Sequence, residues 1–265
     1  YTVPMTWASR RRALYLTGVI VFFAVVFGVP FAIWWYQPAD CTDGKMNGGE
    51  TAIDRGGSCP LLDERTLVPH AIQWARAFSV RDGTWSAVAY VENPNNEGGV
   101  MEVPYRFKLY DDRNILVAER EGSTYIMPSA VTPIFEGGID TGNRIVARAY
   151  FEFSAPLVWE RSKDMSRIID VTGKITADVE TTPRVTAIVR NTSVADAKDV
   201  QFVAIVYDPS GNAIAASRTE IPRLAADEQR EIIFAWPDPF VSAVGRLDVI
   251  PLRAPESAVS RRGFF

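Results

Sequence analysis

Histidine and cysteine are almost absent: the chain has one His, His70, and two Cys, Cys41 and Cys59. Three such side chains are one short of a four-ligand zinc cluster. A Ser-His-Asp triad or a Cys-His pair would have to use His70, which follows Pro69 at the entry to a strand-like stretch. No G-x-S-x-G, P-loop or G-x-G-x-x-G occurs, so the usual sequence marks of serine hydrolases and of nucleotide and dinucleotide binders are missing. Paired carboxylates for glycoside cleavage could be drawn from the 32 acids, but no spacing marks a pair. Positive charge is not in excess either: the net charge is −4, which argues against a generic nucleic-acid binder. These absences lead us to expect a protein that is not an enzyme. Hydrophobic residues at 47% and charged residues at 23% exclude a wholly disordered or collagen-like chain.

Charge is missing altogether from one long stretch. Residues 13–36, ALYLTGVIVFFAVVFGVPFAIWWY, contain no charged side chain. A helix of that length reaches about 36 Å, enough for a ~30 Å hydrocarbon core. Trp34, Trp35 and Tyr36 close it and suit an interfacial aromatic belt. Arg10, Arg11 and Arg12 precede it, and Asp40 and Asp43 follow. The positive-inside rule then puts residues 1–12 in the cytoplasm and the rest outside, as a single-pass protein of the cytoplasmic membrane. A cleaved signal peptide is the rival reading. Its apolar region is shorter, however, and ends in small residues, whereas this run ends in WWYQP. With the three Arg set apart, residues 37–265 carry 25 basic against 32 acidic side chains, or −7. Such a region is not drawn to anionic lipid or nucleic acid. Within the span, Ala24, Gly28 and Ala32 recur every four residues. That spacing fits either helix packing or the ordinary abundance of small residues in membrane helices, with Pro30 as a kink.

Beyond the span, residues 37–67 form a polar, Gly-rich juxtamembrane segment containing CTDGKMNGGETAIDRGGSC, residues 41–59. An extracytoplasmic setting allows oxidation, so Cys41–Cys59 is expected as a disulfide. Counted from Asp43 against the EF-hand pattern, Asp43, Asn47, Gly48 and Asp54 fall at positions 1, 5, 6 and 12. Lys45 falls at position 3, and Glu50 adds a carboxylate. A weak Ca²⁺ site at Asp43, Asn47, Glu50 and Asp54 is one reading; a solvated, disulfide-closed turn is the other.

These residues also resemble a cysteine motif of bacterial envelope proteins, C-x-D-G-x-x-N-x-x-E-x-x-x-D-C-G-G-x-C with a further Cys close behind. Cys41, Asp43, Gly44, Asn47, Glu50, Asp54, Gly56, Gly57 and Cys59 match. Arg55 replaces one family Cys, and Leu61–Leu62 stand where the last would be. The resemblance implies that the two missing Cys would have paired with each other, leaving Cys41–Cys59.

The remainder reads as strands separated by turns. Ile72, Trp74, Phe78 and Val80 share a face, Asp82–Gly83 signals a hairpin, and TWSAVAYV returns. Val103, Tyr105, Phe107 and Leu109 alternate with Arg106 and Lys108, and 145–153 (IVARAYFEF) is another expected strand. The plan then recurs. Val91-Glu92-Asn93-Pro94-Asn95 aligns with Val189-Arg190-Asn191-Thr192-Ser193 at an offset of 98, and Leu109-Tyr110-Asp111 with Val206-Tyr207-Asp208 at 97. That period suits tandem β-sandwiches. We expect units at 68–162 and 166–255, a boundary within the charged 160–166, and a tail at 256–265. Asp111 and Asp208 are expected to start turns.

Phe107-Lys108-Leu109-Tyr110-Asp111 is a literal F-x-L-Y-D. With the N-P-N turn it resembles the FxLYD-type, Ig-like domains of bacterial envelope proteins, well over about 70–155 and loosely over 180–240, where Ala204 and Val206 replace the Phe and Leu. The expected architecture is therefore mainly β: one transmembrane helix and two tandem Ig-like sandwiches. The expected role is binding or scaffolding, with the bilayer and other envelope or membrane proteins as partners. The alternative is a subunit of a membrane-embedded secretion or pilus assembly. Asn191-Thr192-Ser193 fits a glycosylation sequon, which the resemblance to bacterial proteins discounts.

Overall fold

The uncharged run forms a helix because nothing in it competes with backbone hydrogen bonding until Pro30. The computed structural model describes residues 7–36 and 39–257; of the expected cytoplasmic segment and tail, residues 1–6 and 258–265 lie outside them. Helix α1 is Trp7–Phe23, a π-helical turn follows at Ala24–Gly28, and α2 is Val29–Trp35. The helix starts before the uncharged run and carries Arg11, whose guanidinium lies 4.0 Å from the Trp7 ring centroid. Pro30 has no N–H to give the preceding turn, and the wider turn stands just before it. Over Trp7–Ile33 the mean hydropathy reaches 2.5, with none of the helix buried against the rest of the chain.

The remainder is β-sandwich. The first unit contains β1 (Ala71–Arg81), β2 (Thr84–Asn93), β3 (Gly98–Tyr110), β4 (Leu116–Ile126), β5 (Ala130–Asp140), β6 (Arg148–Phe153) and β7 (Trp159–Lys163). One sheet is β1-β2-β5; in the other, β3 lies between β4 and the β6/β7 pair. The second unit contains β8 (Ile169–Ala177), β9 (Arg184–Asn191), β10 (Ala197–Tyr207), β11 (Ala213–Leu224), β12 (Gln229–Ala235) and β13 (Arg246–Leu252). Its sheets, β8-β9-β12 and β11-β10-β13, repeat the strand order of the first. The β1–β2 hairpin closes through Asp82–Gly83, with Arg81 opposite Thr84. Gly83 has φ +73°, and a Cβ there would stand 2.6 Å from the Gly142 carbonyl oxygen.

Equivalent polar side chains do equivalent work in the two units. Asp111 Oδ1 accepts from the N–H groups of Arg113 and Ile115, and Asp208 Oδ1 from those of Ser210 and Asn212. Asn93 Nδ2 donates to the carbonyls of Gly98 and Met127. Asn191 Nδ2 donates to those of Ala195, Leu224 and Ala225. Both Asn are buried, so the Asn191 amide is spent on structure and is no acceptor for a glycan in the folded chain. Phe107 and Leu109 are fully buried in the first core, while Tyr110 meets Tyr150 edge-on from the other face.

Three departures from the sequence reading have physical causes. Part of the charged boundary is strand β7: Trp159 and Ser162 are its buried positions, and a serine there hides the apolar alternation. The 145–153 strand starts only at Arg148; Ile145 is 77% exposed. The expected tail begins as strand β14 (Glu256–Ser257), which pairs with Lys163 and Ser162 of the first unit.

The sandwiches are joined face to face. The outer face of β1-β2-β5 gives Phe78 and Val88, and Met127 stands beside them. The outer face of β11-β10-β13 gives Val203, Ile205, Tyr207, Ala216 and Leu252. Strand β10 is therefore buried on both sides: Phe202, Ala204 and Val206 point into their own core, Val203 and Ile205 into the joint. The aligned positions in the first unit, Arg106 and Lys108, are solvated and paired with Glu119, Glu121 and Glu152. Transferring that pattern, Val203→Arg with Ile205→Lys, would bury two unpaired charges, each costing about 3 kcal/mol or more. We expect one thermal transition to split into two and the small-angle scattering envelope to lengthen. A single unshifted transition would show that the joint is energetically idle.

Candidate functional site

The expected site residues fall on two features, the apolar helix and the cysteine loop. Ala24 and Gly28 bound the π-helical turn, and Ala32 lies in α2; all three are exposed. In the loop, Cys41 and Cys59 form a disulfide, with Cα atoms 5.5 Å apart.

The loop's carboxylates hold its own backbone. Asp43 Oδ1 accepts from Lys45 N–H at 2.8 Å, and Asp43 Oδ2 from Asn47 Nδ2 at 2.8 Å. These hydrogen bonds hold the Asp43 carboxyl below its ordinary pKa. Asp54 accepts from Gly44 N–H, and Glu50 Oε2 from the N–H groups of Asn47 and Asp54. Glu50 Oε1 lies 3.3 Å from Cys59 Sγ. Among the described residues, Cys41, Glu50 and Cys59 are the His, Cys, Asp or Glu side chains whose ligand atoms gather within 4.8 Å, and those sulfurs are bonded to each other. Asp43, Glu50 and Asp54 share the loop without converging in that way. Gly57 explains part of the motif: at φ +57°, a Cβ would stand 2.3 Å from the Gly49 carbonyl oxygen.

The loop is fastened to the first sandwich. Leu62 N–H donates to Trp159 O at 2.8 Å, and Arg161 N–H to Pro60 O at 2.7 Å, so residues 60–62 extend the sheet along β7. Leu62 is buried in the first core, at a place where the resembling motif carries Cys. Gly98 leaves it room, since a Cβ there would lie 3.1 Å from Leu62 Cδ1. Arg161 also donates to Gly57 O at 2.9 Å and pairs with Glu97. Asp63 starts the next turn, accepting from Arg65 N–H and from its guanidinium at 3.0 and 2.8 Å. Nothing in the loop's own spacing pointed to these attachments.

His70 is half-buried, its ring centroid 5.8 Å from that of Phe153 and 6.0 Å from that of Trp159. Burial pushes its pKa down. The open side of the first sandwich is a further feature that the sequence did not mark. Between the edges of β1 and β6 runs a groove of about 620 Å³, lined on one flank by residues 75–79 and on the other by 147–150.

No family model matches the chain, and no curated protein matches it. Solved structures offer remote likenesses. One is a beta-glucuronidase from glycoside hydrolase family 2 (10% identity, TM-score 0.22, covering 65% of this chain and 24% of that one). Another is a putative beta-galactosidase from Bacteroides fragilis (14%, 0.19, 67% and 33%). A third is a beta-glucuronidase from Bacteroides uniformis (13%, 0.20, 83% and 27%). The chain spans a quarter to a third of the length of these enzymes, and at such TM-scores no argument about its activity follows.

Arg65 lowers the Asp63 carboxyl from its ordinary 3.8 to about 2. The stabilisation is complete above the ordinary value and is lost as pH falls through the lowered one. Amide exchange at Arg65 and Thr66, corrected for the intrinsic pH dependence, is therefore expected to accelerate between about pH 4 and 2, and Asp63→Asn to accelerate it at neutral pH. Equal protection in the variant would remove this turn from the loop's attachment.

Proposed function

We propose that this is a membrane-anchored, non-enzymatic binding or scaffolding protein of a bacterial envelope. Its two FxLYD-like, Ig-like units stand outside the cytoplasmic membrane, and residues before the span stand inside. The observation that carries the reading is the joint: two sandwiches locked through a buried apolar layer form one body behind a membrane-length helix. Two observations support the non-enzymatic part of this reading. The sole His packs on aromatic rings, and both Cys are consumed in a disulfide. Arg10, Arg11 and Arg12 before the span support the orientation. A second reading, a subunit of a membrane-embedded secretion or pilus assembly, is favoured by Ala24, Gly28 and Ala32 lying exposed on the helix.

A membrane-impermeant lysine cross-linker applied to spheroplasts tests both parts of the proposal. The expected product is a discrete heteromeric band that contains this chain. No modification of Lys108, Lys163 or Lys198 would refute the orientation. Modification that yields monomer alone would refute a stable ectodomain partner and favour contacts within the bilayer.

The calcium reading of Asp43, Asn47, Glu50 and Asp54 is favoured by one atom. Asn47 Oδ1 is buried and has no hydrogen-bond partner, and amide oxygens are ordinary Ca²⁺ ligands. With Lys45 nearby, affinity is expected in the ~10⁻⁴–10⁻³ M range of extracellular modules. Titration is expected to shift amides of 41–59 and leave the sandwiches unmoved. An unchanged spectrum at several millimolar Ca²⁺, or the same shift in Asp43→Ala and Asp54→Ala, would leave the loop a purely structural turn.

A further inference from the structure

The first sandwich lacks a strand along part of one edge. Strands β6 and β7 lie on the same side of β3, with Phe153 opposite Tyr105 and Trp159 opposite Val100. Along β7 the outer edge is filled by the chain itself: residues 60–62 pair with 159–161, and β14 pairs with Ser162 and Lys163. Along β6 it is not. Ser154 N–H donates to Pro104 O, and antiparallel alternation then turns the N–H groups of Ala149, Phe151 and Phe153 away from β3. Among the described residues no strand pairs with β6 on that side.

Beside this edge lies the groove between β1 and β6. Ala75, Ala77 and Ala149 keep it open, and Ile214 and the 86%-exposed Val241 of the second unit flank it. Arg76 and Arg148 also line it. Arg76 reaches only Ala213 O and Asn212 Oδ1, at 3.3 and 3.4 Å, and Arg148 only Asn114 Oδ1, at 2.7 Å. Neither has a carboxylate within ion-pair distance among the described residues. In a region with a net charge of −7, two arginines outside any ion pair on one groove, Arg76 with only the more distant Asp208 carboxylate acting on it, are a local reversal of sign. Beyond β14, Arg261 and Arg262 have the wrong sign to answer them.

We propose that β6 accepts an extended acidic segment of a partner polypeptide as an added antiparallel strand, its alternate apolar side chains entering the groove and its carboxylates meeting Arg76 and Arg148. This rests on the binding reading above and names the partner's chemistry. Main-chain hydrogen bonds to Ala149, Phe151 and Phe153 supply the pairing, and the groove and arginines supply selectivity. The added strand continues the row that residues 60–62 and β14 already form along β7.

The test uses the full chain in detergent micelles and two eight-residue peptides with a neutral fluorophore, one alternating Val and Glu, the other Val and Lys. The Val/Glu peptide is expected to raise fluorescence anisotropy and to slow amide exchange at Ala149, Phe151 and Phe153, and the Val/Lys peptide to do neither. Ala149→Pro removes an outward N–H at an edge, where proline is tolerated, and should abolish binding. Arg76→Glu with Arg148→Glu should weaken it by about tenfold or more. It also keeps the test decisive if the proline variant misfolds. Equal binding of both peptides, or none, would overturn the proposal. So would slow exchange of the three amides before any peptide is added: independent of concentration it would mean the chain's own tail, and dependent on it a second copy. Each failure leaves the cross-linked partner of the binding reading intact, so the two readings fall separately.

Discussion

Burial of Val203, Ile205, Val88 and Met127 between two sheets is the contact on which the rest of the arrangement depends. Each such side chain taken out of water is worth roughly 1.5–3 kcal/mol as an upper estimate. A small sandwich buries only part of its chain's surface and is marginal alone. Sharing a third apolar layer makes the outer faces of two sheets into core. Tyr90 and Trp74 extend the layer as a stacked pair, their ring centroids 5.1 Å apart, and Arg246 closes it over the Tyr207 ring at 3.9 Å.

The faces left outside the joint are polar. The joint pairs the β1-β2-β5 face of one unit with the β11-β10-β13 face of the other, so each unit retains one unused face. On the first unit that face carries Arg106, Lys108, Glu119, Glu121 and Glu152 in ion pairs. On the second, Thr186 and Ile188 align with Val88 and Tyr90, and Arg190 and Glu231 stand among them. Head-to-tail contacts that do not close lead to filaments, and charged outer faces disfavour such contacts, as polar caps do in repeat proteins.

The β class, the apolar helix and the disulfide were legible because each rests on local pattern: period-two alternation, an uncharged run, and two Cys that are the chain's only thiols. The joint was harder to see. Residues 200–207, VQFVAIVY, invite an alternating reading through Val200, Phe202 and Ala204, yet the intervening Val203 and Ile205 are as apolar. A strand apolar on both faces is one buried on both faces, and setting Val203 and Ile205 beside Arg106 and Lys108 is the signal that marks it. The attachment of the cysteine loop left less trace. Leu62 enters the core through space that Gly98 leaves, a pairing of distant residues that no periodicity encodes. The open edge of β6 is an absence, and a missing strand has no sequence of its own.

The connections make these parts interdependent. Only residues 253–255 separate β13 of the second unit from β14 on the first, and a chain that short spans at most about 14 Å between Leu252 and Glu256. Strand β14 can therefore stay on β7 only while the sandwiches remain stacked, and Leu252 lies within the joint itself. Residues 60–62 occupy the adjoining length of β7. The segment leading from the apolar helix and the segment leading from the second unit thus end on one five-residue strand. Parting the sandwiches would strip β14 from that strand and leave residues 60–62 holding its edge alone. Binding along the neighbouring β6 edge would be felt at both attachments, because all of these segments lie in the row that flanks β3.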